Sequence, residues 1–193
     1  MRFHKAMAEH SGNWTIPNAL TVARILCTPF FIALFLNGRY MAALSMFALA
    51  GVSDALDGFL ARVLSQRSAL GAMLDPLADK VLLTASFICL ASVDWLPAWL
   101  VVTVVSRDVL ILVGVALLSF WGQDMRLRIR PSVLSKITTA CQMFLILAAF
   151  ARFGGLLPGS LDGAFAGLIW LTAALTIASG GHYVARGLAM FGK

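Results

Sequence analysis

The stretch Asp54-Ala-Leu-Asp57-Gly58-Phe-Leu-Ala61-Arg62, followed after eight residues by Gly71-Ala-Met-Leu-Asp75-Pro76-Leu-Ala-Asp79, places four carboxylates inside long apolar runs. On a helix turning about 100° per residue, Asp54, Asp57, Gly58 and Ala61 share one face. Gly71, Asp75 and Asp79 form a second stripe at i, i+4, i+8. A short basic turn joins the two runs, so antiparallel packing is expected to bring the stripes together. A carboxylate at the centre of a membrane helix costs about 2.5–3.5 kcal/mol on an insertion scale, and four clustered ones also repel. A compensating ligand is therefore required, most simply cations.

Working outward, the flanking sequence defines the setting. Of 193 residues, 60% are hydrophobic and 12% charged, about half the charge of a typical soluble domain. Six apolar segments, at about residues 16–36, 41–64, 69–92, 96–120, 133–153 and 163–188, each meet the span requirement of roughly 20 residues. The expected fold is an all-α integral membrane bundle of six transmembrane helices. Residues 1–14 form a short N-terminal amphipathic segment, and residues 15–193 the catalytic domain. Breaks are expected at Asn37-Gly38-Arg39, Ser65 to Ser68, around Asp94, Trp121 to Ser132 and Gly154 to Gly163. No signal-peptide cleavage site is visible.

Charge orients the bundle. Arg2, Lys5, Arg62, Arg67, Arg126, Arg128, Arg130, Lys136, Arg186 and Lys193 map to one side, and only Arg39 and Arg152 to the other. Both termini and the carboxylates are then cytoplasmic. The net charge of +6 is accounted for by topology and anionic headgroups, with no nucleic-acid partner needed. Cys27, Cys89 and Cys141 lie in separate apolar runs, a pattern of packing cysteines rather than a disulfide or zinc framework.

Oxygen donors of this kind suit Mg²⁺, Mn²⁺ or Ca²⁺ rather than zinc. Gly58 and Gly71 leave room on the carboxylate faces, and Arg62 and Arg67 stand at the mouth for a phosphate ligand. Pro76 disfavours helical geometry at Asp75 and suggests a bend. Spacing alone leaves three readings open: metal-assisted phosphate chemistry, a small ion-coupled transporter, or interhelical pairing of the acids with Arg24, Lys80 and Arg107.

The pattern D-x-x-D-G-x-x-A-R, eight residues, G-x-x-x-D-x-x-x-D resembles the signature of the CDP-alcohol phosphotransferases at every fixed position. Ile16-Pro17-Asn18-Ala-Leu-Thr21-Val-Ala-Arg24 is similar to the opening of members that use CDP-diacylglycerol. The resemblance implies a binuclear Mg²⁺ or Mn²⁺ centre held by Asp54, Asp57 and Asp75, with Asp79 sharing in it and acting as catalytic base. It implies that Asp54, Asp57, Gly58, Ala61, Arg62 and Gly71 accommodate the CDP moiety. It also implies a homodimer, and points to a bacterial inner membrane. An alcohol is a poor nucleophile, so a base and charge neutralisation are both chemically apt.

For the acceptor, Ser106-Arg107-Asp108-Val109, Arg128-Ile-Arg130-Pro131-Ser132, Ser135-Lys136-Ile-Thr138-Thr139 and Arg67-Ser68-Ala-Leu-Gly71 look like the members that join CDP-diacylglycerol to phosphatidylglycerol, the cardiolipin synthases. Members that use glycerol 3-phosphate are nearly as similar, though they often carry glutamate at the position of Asp108. Arg107, Asp108, Arg128, Arg130 and Lys136 are the candidate acceptor-binding residues; Arg107 and Asp108 alternatively pair only with each other. Ser135, Thr138, Thr139 and Gln142 form a polar stripe suited equally to lining a pocket or to helix packing. Trp95, Trp99, Trp121 and Trp170 read as interface or packing residues.

Overall fold

A computed structural model describes residues 16–63, 69–120, 133–156 and 161–191, with side chains placed for 23–53, 80–114, 133–156 and 161–186. The described residues form six α-helices and no strand: α1 (Ile16–Leu36), α2 (Tyr40–Val63), α3 (Ala69–Ser92), α4 (Ala98–Phe120), α5 (Val133–Phe153) and α6 (Asp162–Phe191). Three of these match the expected segments at both ends, and the others differ by one to three residues at an end. The expected amphipathic segment at residues 1–14 and the connections at 65–68 and 121–132 lie outside the described residues.

Length and composition suit Val133–Phe153 (21 residues) and Asp162–Arg186 (25 residues) to crossing a membrane. The six-span arrangement is thus matched in helix number, while membrane crossing is supported for these two helices. Large apolar side chains are exposed along several helices, among them Phe30, Leu49, Trp170 and Ile177. A soluble surface rarely carries so many.

The chain divides into two compact units, Met1–Leu82 and Leu83–Lys193. In the first, α1 packs on α2 around Phe31, Phe35, Ala43 and Phe47, all buried. Phe31 meets Phe35 and Phe47 with ring centroids 6.2 and 6.3 Å apart. Alanine at 43 lets the facing helix come close while phenylalanines fill the space, the large-against-small matching that dense packing needs. Pro29 sits inside α1. The residue before it, Thr28, donates from Oγ1 to the carbonyl of Arg24, one turn earlier, at 3.2 Å.

In the second unit, α6 packs on both α4 and α5, and Leu90, Leu100, Leu145, Ile146 and Phe150 are fully buried. Trp95 stacks on Phe153 at 5.0 Å and meets Phe150 edge-on at 5.9 Å, which makes it a packing residue. Arg152 lies over the rings of Phe153 and Phe165 and pairs with Asp162 at 2.9 Å. The three cysteines are free.

Helices α1, α3 and α5 end in the same way. The backbone amides of Arg39, Trp95 and Leu156 bond to the carbonyls of Leu34, Leu90 and Ala151, five residues back. Those of Gly38, Asp94 and Gly155 bond three residues back, to Phe35, Ala91 and Arg152. This 6→1 and 5→2 pairing is the Schellman cap, which needs a left-handed residue just past the helix. Gly38 and Gly155 have φ of 71° and 78°, and Asp94 takes the same role at 59°. Glycine does this at no steric cost, whereas aspartate carries a Cβ penalty.

Candidate functional site

The four aspartates fall where their spacing requires. Asp54 and Asp57 lie in the second half of α2, and Asp75 and Asp79 in the first half of α3. Gly58, Ala61 and Arg62 continue the α2 stripe, and Gly71 opens the α3 stripe one turn before Asp75. Helical geometry puts Asp54 with Asp57, and Asp75 with Asp79, on single faces. The helix is assigned without a break through Asp75 and Pro76, so proline does not interrupt α3. The side chains of these eight residues lie outside the described ones, as does the whole of Arg128 and Arg130. Among the described residues no three histidine, cysteine or acidic side chains gather as a metal site.

The donor set itself can be tested against a metal. It consists of carboxylates alone, carried on two consecutive helices with glycine one residue or one turn away. Hard oxygen donors of this kind fit Mg²⁺ or Mn²⁺. Beside the α2 stripe, a cleft of about 480 Å³ is lined by Ala23, Cys27, Met46 and Leu49, with Arg24 in its wall and Ser53 at the residue before Asp54. Arg24 is only 5% exposed.

The acceptor candidates that are described occupy the second unit. Arg107 and Asp108 on α4 are buried, and Arg107 Nη1 donates to Asp108 Oδ1 at 2.7 Å. The guanidinium reaches further. Its Nη2 donates to Ser135 Oγ on α5 at 2.6 Å and to Ser179 Oγ on α6 at 2.8 Å. Arg107 therefore joins three helices through one planar group, a use for which arginine's fixed fork of donors is suited. Its Nε is buried with no hydrogen-bond partner. Lys136, next to Ser135, is exposed.

A line of hydroxyls continues along α5 and α6. Gln142 Nε2 donates to Thr176 Oγ1 at 3.2 Å, Thr138 Oγ1 donates to the Leu175 carbonyl at 3.2 Å, and Cys141 Sγ meets Thr172 Oγ1 at 3.3 Å. Thr172 and Thr176 also donate to carbonyls four residues back, the usual way a hydroxyl is satisfied inside an apolar helix. Thr138 and Gln142 are completely buried, so these two stripe residues pack against α6. The α6 half of this seam, Thr172, Thr176, Ser179 and Gly180, was not singled out from sequence. Its signal was there: small and hydroxyl residues recurring at i, i+4, i+7 and i+8.

Paired carboxylates on consecutive helices, in a chain of long apolar helices, define a helical protein with a candidate oxygen-donor site. Comparison with known proteins supplies the family. The CDP-alcohol phosphatidyltransferase model matches residues 14–178, and the chain belongs to that family. It is 35% identical to rat cardiolipin synthase (CMP-forming), over 92% of this chain and 62% of the relative. It is also 35% identical to the CDP-diacylglycerol–glycerol-3-phosphate 3-phosphatidyltransferase of Cereibacter sphaeroides, over 93% of this chain and 82% of the relative. The Bacillus subtilis protein of the same name is 32% identical over 90% of this chain and 95% of its own length. The chain spans about three fifths of the rat and human cardiolipin synthases it matches.

Proposed function

We propose that this chain is an integral membrane phosphatidyltransferase of phospholipid synthesis, moving a phosphatidyl group from CDP-diacylglycerol to an alcohol and releasing CMP. The observation that carries the proposal is the placement of Asp54, Asp57, Asp75 and Asp79 at helical spacing on α2 and α3, within the segment matched by the family. The number and apolar character of the helices support six spans; the one-sided distribution of basic residues favours carboxylates and termini on the cytoplasmic side, and the resemblance favours a bacterial inner membrane. The family reading also carries a homodimer.

In the proposed reaction Asp79 takes the proton of the acceptor hydroxyl. The hydroxyl oxygen forms a bond to the phosphorus that carries diacylglycerol. The bond from that phosphorus to the bridging oxygen breaks, and its electron pair leaves with CMP. Asp54, Asp57 and Asp75, with Asp79, are the residues that would hold two Mg²⁺ or Mn²⁺ ions. Such ions, when bound, neutralise charge on the diphosphate. Gly58, Ala61 and Gly71 would leave space for the cytidine, and Arg62 would contact the diphosphate. The apolar cleft of α1 and α2, whose lining includes Ser53, suits a lipid-borne donor.

For the acceptor we favour phosphatidylglycerol, supported by the identity shared with the rat and human cardiolipin synthases. Glycerol 3-phosphate is the second reading, favoured by the greater share of the Cereibacter and Bacillus relatives that this chain covers. Purified protein given labelled CDP-diacylglycerol with each acceptor in turn decides between them. Cardiolipin as product supports the first reading and phosphatidylglycerophosphate the second. Flux across vesicles with no CMP formed would instead make the chain a transporter.

A further inference from the structure

The described part of the acceptor region contains a buried cation whose hydrogen bonding is incomplete. Arg107 offers five N–H donors. One meets Asp108, and two meet the hydroxyls of Ser135 and Ser179, while Nε is buried without a partner. A guanidinium with unused donors in a low-dielectric setting is suited to an anionic oxygen ligand such as a phosphate.

The side of Arg107 that faces α6 is shaped by two adjacent residues. Ser179 is fully buried and accepts from Nη2. Gly180 brings the α6 backbone so near that a Cβ added there would stand 3.4 Å from Arg107 Cγ and 3.9 Å from its Cβ. One residue fixes the head of the side chain, and the next lies beside its stem at a distance where a Cβ would make ordinary van der Waals contact. Gly163, Gly167 and Gly181 of the same helix have nothing within 4 Å of such a Cβ, so among the described glycines of α6 the close approach is particular to Gly180.

We infer that Ser179 is a positioning residue for the acceptor: it holds the Arg107 guanidinium at the angle from which its remaining donors meet the acceptor's phosphate. The inference rests on the reading of Arg107 as an acceptor-binding group. It assigns to α6 a part in acceptor affinity exerted through a hydrogen bond to Arg107. Because the action is on the angle of a donor toward one substrate, it changes acceptor affinity and leaves donor affinity alone.

The test is steady-state kinetics in detergent micelles, with phosphatidylglycerol or glycerol 3-phosphate as acceptor, whichever supports turnover. The variants are Ser179→Ala, Gly180→Ala, Ser135→Ala, Arg107→Lys and Thr172→Val. Ser179→Ala is expected to raise the acceptor KM about tenfold, the scale of a hydrogen bond to a charged group, with the KM for CDP-diacylglycerol unchanged. Gly180→Ala places a methyl at ordinary contact distance beside the Arg107 stem and, with the Ser179 hydroxyl intact, should move neither KM. Ser135→Ala removes the other hydroxyl on Nη2 from a half-buried position and gives the signature of Ser179→Ala if that variant folds poorly. Thr172→Val removes a buried hydroxyl of the same seam away from Arg107 and should move neither KM. If Arg107→Lys raises the acceptor KM but Ser179→Ala and Ser135→Ala do not, the positioning role is overturned and the acceptor reading stands. If Arg107→Lys leaves the acceptor KM unchanged, the acceptor reading itself falls. An equal effect of Thr172→Val, or a rise in both KM values in Ser179→Ala, reduces the role to helix packing and also overturns the inference.

Discussion

Arg107 and Asp108, neighbours on α4, close a 2.7 Å ion pair with only 3% and 4% of the two residues exposed. Their pairing makes a buried positive charge tolerable. Removing one partner from such a pair costs about 3–5 kcal/mol, because the other is left uncompensated. Asp108→Ala is therefore expected to lower the thermal midpoint in detergent sharply, while Asp108→Glu keeps the charge and loses less. Equal midpoints for the alanine variant and the parent would show that the pair contributes nothing.

Asp79→Asn removes the proposed base while keeping size and hydrogen-bonding capacity. CMP release should fall by roughly 10²–10⁴-fold, the contribution of a general base, with the protein still folded. Near-parental turnover in this variant would rule out the assigned role.

Metal removal supplies a separate check on the donor set. Chelation should abolish CMP release, and Mg²⁺ or Mn²⁺ should restore it, because hard oxygen donors select such ions. Activity that survives exhaustive chelation would exclude the proposed ions.

The helix caps give a prediction about stability alone. Asp94→Gly should stabilise by about 1 kcal/mol, since a non-glycine residue in the left-handed region carries a penalty of that order. Gly155→Ala should cost a similar amount, and for conformational reasons only, because nothing lies within 4 Å of a Cβ at that position. Thermal unfolding of the two variants should therefore shift in opposite directions.

Gln142 tests how much buried polarity is needed. It is fully buried, its Nε2 donates to Thr176, and its Oε1 has no partner. Thr176 keeps its own donation to Thr172 without it. Gln142→Met removes an unsatisfied acceptor along with one hydrogen bond, so the change in stability should be within about 1 kcal/mol. A loss of several kcal/mol would mean that the amide serves more than the one partner seen.

The helices were legible because apolar runs and their breaks are local properties. The ends of α1, α3 and α5 follow from Asn37-Gly38, the region of Asp94, and Gly154-Gly155. That aspartate adopts the left-handed turn at 94 was not legible, since nothing local favours it over the glycine used in the two sister caps. The helical placement of the carboxylates on α2 and α3 was legible through spacing, while their proposed role rests on the motif. The seam of α5 and α6 was legible only on the α5 side. Threonine, serine and glycine are common in membrane helices, and only the rotation of α6 against α4 and α5 selects Ser179 to meet Arg107. That rotation is a tertiary fact with no signature along the chain.

The three-way hold of the Arg107 guanidinium also bears on how the protein is made. Synthesis runs from α4 to α6, so Arg107 emerges before either serine that it binds. It gains the Ser135 hydroxyl when α5 arrives and the Ser179 hydroxyl only after most of α6 has been added. Until then the charged pair on α4 lacks part of its hydrogen bonding. The hold on Arg107 within the second unit is therefore completed only once α6 is in place.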